Sequence, residues 1–222
     1  MTANSKFTYY LFIGVFIAVV VVCLVYYVVN RGIFADVFSD RGELVDQLSY
    51  SYNLDKVGLD EEIMISKYKK DDIYDYYLEI KEKPNIFLKL EGFEDNVTFC
   101  DKEVLEIDSE NIAVCVTGYV GVHSKNLQIV RYQASKLEAY KFVNEDVQTS
   151  NIYTDSPNFG FYDYNSDDRI DLAIDYRDYD KNPLEDIRRM YYYFDTKRGF
   201  VYDQIEELNQ SDKNINGTGQ IN

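Results

Sequence analysis

The sequence has few of the residues that bind transition metals or nucleic acids. Of its 222 residues, one is a histidine, His123, and three are cysteines, so neither a histidine-based metal site nor a cysteine cluster for zinc can be built. Aspartate and glutamate outnumber lysine and arginine by 39 to 23, giving a formal net charge of −16. The short basic run at 67–70 leads directly into Asp71 and Asp72. Because nucleic acid binding needs clustered cations, we predict no nucleic acid partner. The acidic surface suits cations or basic partners, or serves solubility alone.

Sequence patterns of common catalytic sites are also missing. The chain has no glycine-rich phosphate loop, and a Ser-His-Asp triad would have to use His123, which we interpret as a strand residue near a turn. Carboxylates are abundant, but nothing singles out a pair for glycoside hydrolysis. We therefore predict that the protein is not an enzyme.

One long apolar run stands out near the start of the chain. Residues 7–29 contain no charge and no proline, and tyrosines lie near both ends. A helix of this length crosses a bilayer core of ~30 Å at ~1.5 Å per residue, and the tyrosines would lie at the two interfaces. We predict a single transmembrane helix that anchors the protein in membrane lipid.

The remainder of the chain has features of an extracytoplasmic domain. Cys100 and Cys115 form an even pair outside the span, which permits either a disulfide in an oxidising compartment or two buried thiols. Asn96 and Asn216 lie in glycan-acceptor patterns. We predict a single-pass membrane protein whose soluble domain is extracytoplasmic, either periplasmic or extracellular.

The predicted domains follow the composition along the chain. After a short tail, 1–6, and the anchor, 7–29, we expect a juxtamembrane region, 30–72, with a short helix. Residues 73–208 are predicted to form a β-rich domain because short runs rich in Tyr, Val and Ile alternate with turns. These runs include a hairpin around Pro84 and a last hairpin turning at Gly199. The polar tail, 209–222, is predicted to be disordered.

An acidic loop within this domain has the spacing of a cation site. Counting from Asp163, carboxylate or amide side chains occupy positions 1, 3, 5 and 9, namely Asp163, Asn165, Asp167 and Asp171. In a tightly wound loop alternate side chains converge, and a hard cation takes about six to eight oxygens. Position 12 is Ile174, so the bidentate Glu of an EF-hand is missing. The pattern indicates either a cation site between two strands or a solvated acidic turn.

The stretch "FYDYNSDDRIDLAI" resembles the F-x-D-x-N-x-D-G-x-x-D-L signature of FG-GAP/VCBS repeats, the calcium loops of integrin-like β-propeller blades. The resemblance extends over residues 111–204. It implies a Ca²⁺ site formed by the side chains of Asp163, Asn165, Asp167 and Asp171 and the backbone carbonyl of Arg169. Asp168 replaces the family's glycine. The chain is too short for a complete ring, so the implied form is a partial propeller of antiparallel, blade-like sheets.

Together these features predict a mainly β, membrane-anchored extracytoplasmic module with a structural Ca²⁺ ion. Its function would be non-catalytic binding or adhesion, or interaction with the cell envelope, with a protein or glycan partner outside the cell. The alternative is an accessory structural subunit of a larger membrane complex.

Overall fold

The structure, a computed structural model, describes residues 19–23, 41–56, 58–121, 124–154, 158–177 and 187–208. The chain divides into two compact units, Met1–Glu43 and Leu44–Asn222. The first unit contains the described helical residues 19–23. The second contains most of the strands and is mainly β. The predicted tail 209–222 lies outside the described residues.

The predicted transmembrane helix over residues 7–29 is corrected by the structure. In the part of the chain that is described, no helix is long and apolar enough to cross a membrane. Apart from residues 19–23, the run lies outside the described residues. The single-pass membrane localisation and the membrane-anchored description relied on this helix and are corrected with it.

The first sheet replaces the predicted juxtamembrane helix. Its order is β1 (Glu43–Tyr52), β2 (Glu61–Lys70), β3 (Ile73–Ile80) and β4 (Phe87–Leu90), and the β2–β3 and β3–β4 pairs are antiparallel. In β2 the buried Ile63 and Ile65 lie two positions apart, which is the period of a strand. Asp71 and Asp72 both have positive φ, 51° and 64°, and form the tight turn between β2 and β3. Paired strands therefore lie where the sequence predicts a short helix within residues 30–72.

The second sheet lies at the centre of the hydrophobic core. Its main strands are β5 (Asp95–Glu106), β6 (Ile112–Val120) and β7 (Ser124–Gln133). The short strands β8 (Lys136–Ala139) and β11 (Ile152–Thr154) both pair with the outer edge of β7. Cys100 and Cys115 form a disulfide between β5 and β6, with Cα atoms 5.4 Å apart. Both faces of β6 are buried over most of its length, so this strand lies between the other two sheets.

The third sheet contains the acidic loop and does not have the arrangement of a propeller blade. Its order is β10 (Val147–Thr149), β9 (Phe142–Asn144), β15 (Gly199–Glu207), β14 (Ile187–Asp195), β13 (Asp171–Arg177) and β12 (Phe159–Tyr162). A blade is a meander of four consecutive strands. Strands β12–β15 form such a meander, but β9 and β10 extend the sheet to six strands, and β9, which comes from before β11, pairs in parallel with β15. The predicted partial propeller of antiparallel blades is therefore corrected.

Other strand predictions agree with the structure. The hairpin around Pro84 is β3–β4, and the hairpin at Gly199 is β14–β15, where Gly199 has a φ of 91°. The β region, however, begins at Glu43, well before residue 73.

The central sheet separates two apolar clusters. Ile63, Leu78, Val114 and Val116 lie in the first, between the first and second sheets. The second includes Ile129, Leu172, Ile174, Phe194 and Phe200, which belong to the second and third sheets.

Asp175 lies buried in β13 and accepts a hydrogen bond of 2.8 Å from Nε of Arg189 in β14. Leu172 and Ile174, both fully buried, fix β13 and therefore the end of the acidic loop.

Candidate metal centre

The acidic loop, residues 163–170, connects two paired strands of the third sheet. Tyr162, the last residue of β12, lies opposite Asp171, the first residue of β13. This antiparallel pairing brings the two ends of the loop together. Asp163 and Asp171 are therefore held near each other by the sheet as well as by the loop.

The loop winds around its own acidic side chains. The two carboxylate oxygens of Asp163 accept hydrogen bonds from the backbone N–H groups of Asp167, at 3.1 Å, and Asp168, at 2.9 Å. The side-chain oxygen of Asn165 accepts from the same Asp167 N–H at 3.0 Å. Asp167 in turn accepts from the backbone N–H of Arg169 at 3.1 Å. Side chains at alternate positions therefore face the inside of the loop, as their spacing predicts.

Two residues of the loop have left-handed backbone conformations. Ser166 and Asp168 both have a φ of 62°. The family signature has glycine at the position of Asp168, and glycine adopts positive φ without steric cost. Aspartate is among the residues that tolerate this conformation best, so the departure from the signature is compatible with the same loop path.

Asp171 is the most constrained member of the group. Its side chain is fully buried at the start of β13, and Oδ1 accepts a hydrogen bond of 2.8 Å from the backbone N–H of Phe194 in β14. Oδ2 is also buried, and no donor among the described residues has full hydrogen-bond geometry with it, although the backbone N–H of Tyr164 lies near enough to the carboxylate to lower its pKa. A buried carboxylate oxygen without a partner is unfavourable, which makes this atom the strongest structural indication of a missing ligand.

The electrostatic environment of Asp171 is unfavourable for a bare carboxylate. The pKa of Asp171 is raised from 3.8 to about 6; burial is the main cause and the neighbouring carboxylates of Asp167 and Asp163 add to it, whereas hydrogen bonds from the backbone N–H groups of Phe194 and Tyr164 oppose the rise. A bound cation would reverse this by supplying a positive charge among three negative ones.

The three carboxylates lie close enough to share one ion. One oxygen from each of Asp163, Asp167 and Asp171 can be chosen so that all three lie within 4.8 Å of one another. Oxygens bound to one Ca²⁺ at 2.3–2.6 Å are at most about 5 Å apart. The set is all oxygen, as hard cations prefer, and it fits Ca²⁺ without being specific for it.

The other predicted ligands have different positions. Asn165 belongs to the loop interior through its bond to Asp167. The guanidinium of Arg169 lies 3.9 Å from a carboxylate oxygen of Asp108 and 3.9 Å from one of Asp167, so its side chain balances charge at the edge of the loop. Coordination by the Arg169 carbonyl remains a prediction.

Two contacts outside the loop were not predicted from the sequence. The backbone N–H of Phe194 fixes Asp171, and the hydroxyl of Tyr164 donates a hydrogen bond of 3.1 Å to Asp203 in β15. Both partners come from strands that follow the loop in sequence, and no local pattern marks them. His123 lies outside the described residues.

No family model matches the chain, and neither a curated protein nor a solved structure matches it. The resemblance of the acidic loop to FG-GAP/VCBS repeats therefore remains a prediction.

Proposed function

We propose that this protein is a non-catalytic binding module whose third sheet is stabilised by Ca²⁺ in the acidic loop. The observation that carries the proposal is the buried carboxylate of Asp171, which belongs to the same cluster as Asp163 and Asp167 and whose Oδ2 has no hydrogen bond of full geometry among the described residues. Asp163, Asn165, Asp167 and Asp171 would hold the ion through side-chain oxygens, and Arg169 through its carbonyl.

The chemistry of the donors favours calcium. Carboxylate, amide and carbonyl oxygens are hard ligands, and a loop with several carboxylates but no nitrogen or sulfur donor suits Ca²⁺ better than zinc or copper. Mg²⁺ demands near-ideal octahedral geometry and keeps several of its waters, so it gains less from a loop that supplies many oxygens. The resemblance of the loop to FG-GAP/VCBS repeats points to the same ion.

The ion would have a structural effect. Oδ1 of Asp171 accepts a hydrogen bond from β14, and the Asp171 carboxylate belongs to the acidic cluster, so a bound cation would join the loop to the centre of the third sheet. The carboxylates of Asp163 and Asp167 already accept hydrogen bonds from loop N–H groups. These bonds hold the loop in a wound form, which supports a structural rather than a catalytic use of these side chains.

Terbium luminescence gives a direct test of cation binding. The chain has no tryptophan and 22 tyrosines, so Tb³⁺ in the loop would be excited through Tyr164 and its neighbours. We expect saturable Tb³⁺ emission that Ca²⁺ displaces, and more weakly Mg²⁺. In thermal unfolding, Ca²⁺ at 100 times its Kd should add ~2.7 kcal/mol, or on the order of 5–10 °C in Tm.

A pair of variants with the same charge change controls the experiment. Asp163→Asn/Asp167→Asn should lose the Tb³⁺ signal and the calcium-dependent rise in Tm. Asp101→Asn/Asp146→Asn changes two exposed aspartates outside the loop and should retain both. Equal responses in the two variants, or no calcium response in the natural protein, would refute the proposal.

A further inference from the structure

A second site lies away from the acidic loop, in a cavity of about 470 Å³. Its walls come from β4, from β7 and β8, and from the turn between β14 and β15. This volume lies within the range of small-molecule sites, about 300–1,000 Å³. None of the acidic-loop residues lines it, so the cavity is independent of the proposed calcium site.

The walls of the cavity are fixed by backbone hydrogen bonds. The N–H of Tyr140 donates to the carbonyl of Ile129 at 2.8 Å, which holds the end of β8 against β7. The N–H of Phe200 donates to the carbonyl of Lys141 at 2.8 Å, which holds the β14–β15 turn against the same segment. The cavity is therefore a preformed feature of the fold, and binding there needs little ordering of the chain.

The cavity is cationic although the chain is strongly acidic. Five basic residues line it and two carboxylates, Glu91 and Glu138, oppose them. Glu138 is neutralised by Arg131 at 2.9 Å. Lys89 pairs with Asp75 at 2.8 Å and Arg198 with Asp195 at 3.6 Å, whereas Lys141 and Lys197 form no ion pair with any described residue. The basic residues are Lys89, Arg131, Lys141, Lys197 and Arg198. In a protein with a formal net charge of −16, two lysines at one cavity without ion-pair partners among the described residues favour an anionic ligand there.

The buried side-chain amide of Gln128 has an oxygen that lacks a hydrogen-bond donor among the described residues. Gln128 lines the cavity and is only 2% exposed, and its side-chain oxygen has no hydrogen-bond partner within the described part of the chain. An unsatisfied buried amide is costly, and a ligand hydroxyl would satisfy it. Leu137 and Tyr140 contribute an apolar wall, and the guanidinium of Arg131 lies 5.4 Å from the centre of the Tyr140 ring.

From the cavity, its cations and the unsatisfied amide of Gln128, we infer that this site binds an acidic sugar, a ligand with one carboxylate and several hydroxyl groups. The carboxylate would be attracted by Lys141 and Lys197, and a hydroxyl would meet the amide of Gln128. The apolar wall would contact the C–H face of the sugar ring, as aromatic walls do in sites for amphipathic ligands.

Calorimetry with defined sugars tests the ligand class. The full chain is titrated with glucuronate, glucose, acetate and inorganic phosphate, in EGTA and again in calcium. We expect glucuronate to bind at least about tenfold more tightly than glucose, which lacks the charge, and than acetate, which lacks the hydroxyls. Equal affinity for glucose, equal affinity for acetate or phosphate, or no binding of glucuronate would each overturn the inference.

Variants locate the binding to the cavity. Lys141→Gln/Lys197→Gln and, separately, Gln128→Leu should each weaken glucuronate binding about tenfold. Lys102→Gln/Lys125→Gln makes the same charge change outside the cavity and should bind normally. Thermal unfolding confirms that each variant is folded. If the control pair weakens binding as much as the cavity pair, the interaction is non-specific and the inference fails.

Comparing an oligomer with the monomer shows whether the natural ligand is a polysaccharide or a free sugar. An oligomer of glucuronate that binds more tightly than the monomer identifies a polysaccharide, and equal affinities identify the free sugar. Terbium binding in the same preparations separates the two proposals. Protein that binds Tb³⁺ but not glucuronate rejects only the sugar site, and the reverse result rejects only the calcium site.

Discussion

Replacing Asp171 with asparagine should change stability in opposite directions without and with calcium. Without calcium, the folded protein buries a carboxylate with one unpartnered oxygen next to Asp163 and Asp167. The rise in its pKa from 3.8 to about 6 corresponds to a free-energy cost of ~3 kcal/mol for the ionised form in the folded protein. Because the surrounding loop is solvent-exposed and screens the charge, we expect a net cost on the order of 1–2 kcal/mol. Asparagine removes this cost and keeps an acceptor for Phe194.

The pH dependence of stability follows from the upward shift in the pKa of Asp171. The unfolded chain releases this proton near pH 3.8, whereas the calcium-free folded protein keeps it until about pH 6. Between these values the folded state binds more protons, so the free energy of unfolding falls as pH rises. The advantage of Asp171→Asn in EGTA should therefore grow from pH 4 to pH 6 and then remain constant.

Calcium should reverse the order of stability. The natural protein gains ~2.7 kcal/mol at 100 times Kd, and the variant, which has lost a charged ligand, gains much less. Urea unfolding at pH 7.5, followed by circular dichroism in EGTA and in millimolar Ca²⁺, measures both differences. Asp101→Asn, in an exposed part of β5, is the matched control. A variant less stable than the natural protein in EGTA, or an order unchanged by calcium, would refute the reasoning.

Three further predictions concern the fold. Alanine at both Cys100 and Cys115 should lower the free energy of unfolding by ~3 kcal/mol, since the bond closes a separation of 15 residues, and reductant should then have no further effect. Gly199→Ala should cost at least ~2 kcal/mol in urea unfolding because its Cβ would overlap a backbone carbonyl. Gly58→Ala, at a φ of 89° and in open space, should cost less, and equal losses would contradict the steric argument. Asp175→Asn should cost ~3–5 kcal/mol by breaking a buried ion pair, and a loss below 1 kcal/mol would contradict this role.

Local patterns in the sequence predicted the features that depend on neighbouring residues. The odd spacing of Asp163, Asn165 and Asp167 is a property of one short loop, and the structure turns these side chains to the inside of it. The β14–β15 hairpin was predicted because Gly199 marks its turn. In both cases residues close in sequence determine the geometry.

The β1–β2 region was misread because its evidence is not local. Leu44, Val45 and Leu48 remain exposed in β1, so their spacing does not report a buried face. β1 is a strand because it pairs with the edge of β2, whose other edge is already paired with β3. The consecutive aspartates at 71 and 72 mark the β2–β3 turn, and this signal was available in the sequence.

The features that complete the two sites come from distant parts of the chain. The N–H that fixes Asp171 belongs to Phe194, and the cavity brings β4 near the turn that precedes Gly199. Only the order of strands in the sheets places these groups together. Local sequence patterns carry no sign of such an arrangement.

The parallel pairing of β9 with β15 has a consequence for synthesis on the ribosome. Phe142 and Val143 pair with Phe200 and Val201, which are made about 60 residues later, or roughly 3–12 s later at 5–20 residues per second. The β9–β10 hairpin must wait for that interval with its edge open, whereas the meander of the first sheet can pair as it emerges. A nascent chain arrested before β15 should therefore present an unpaired edge, where chaperones or other nascent chains would bind first.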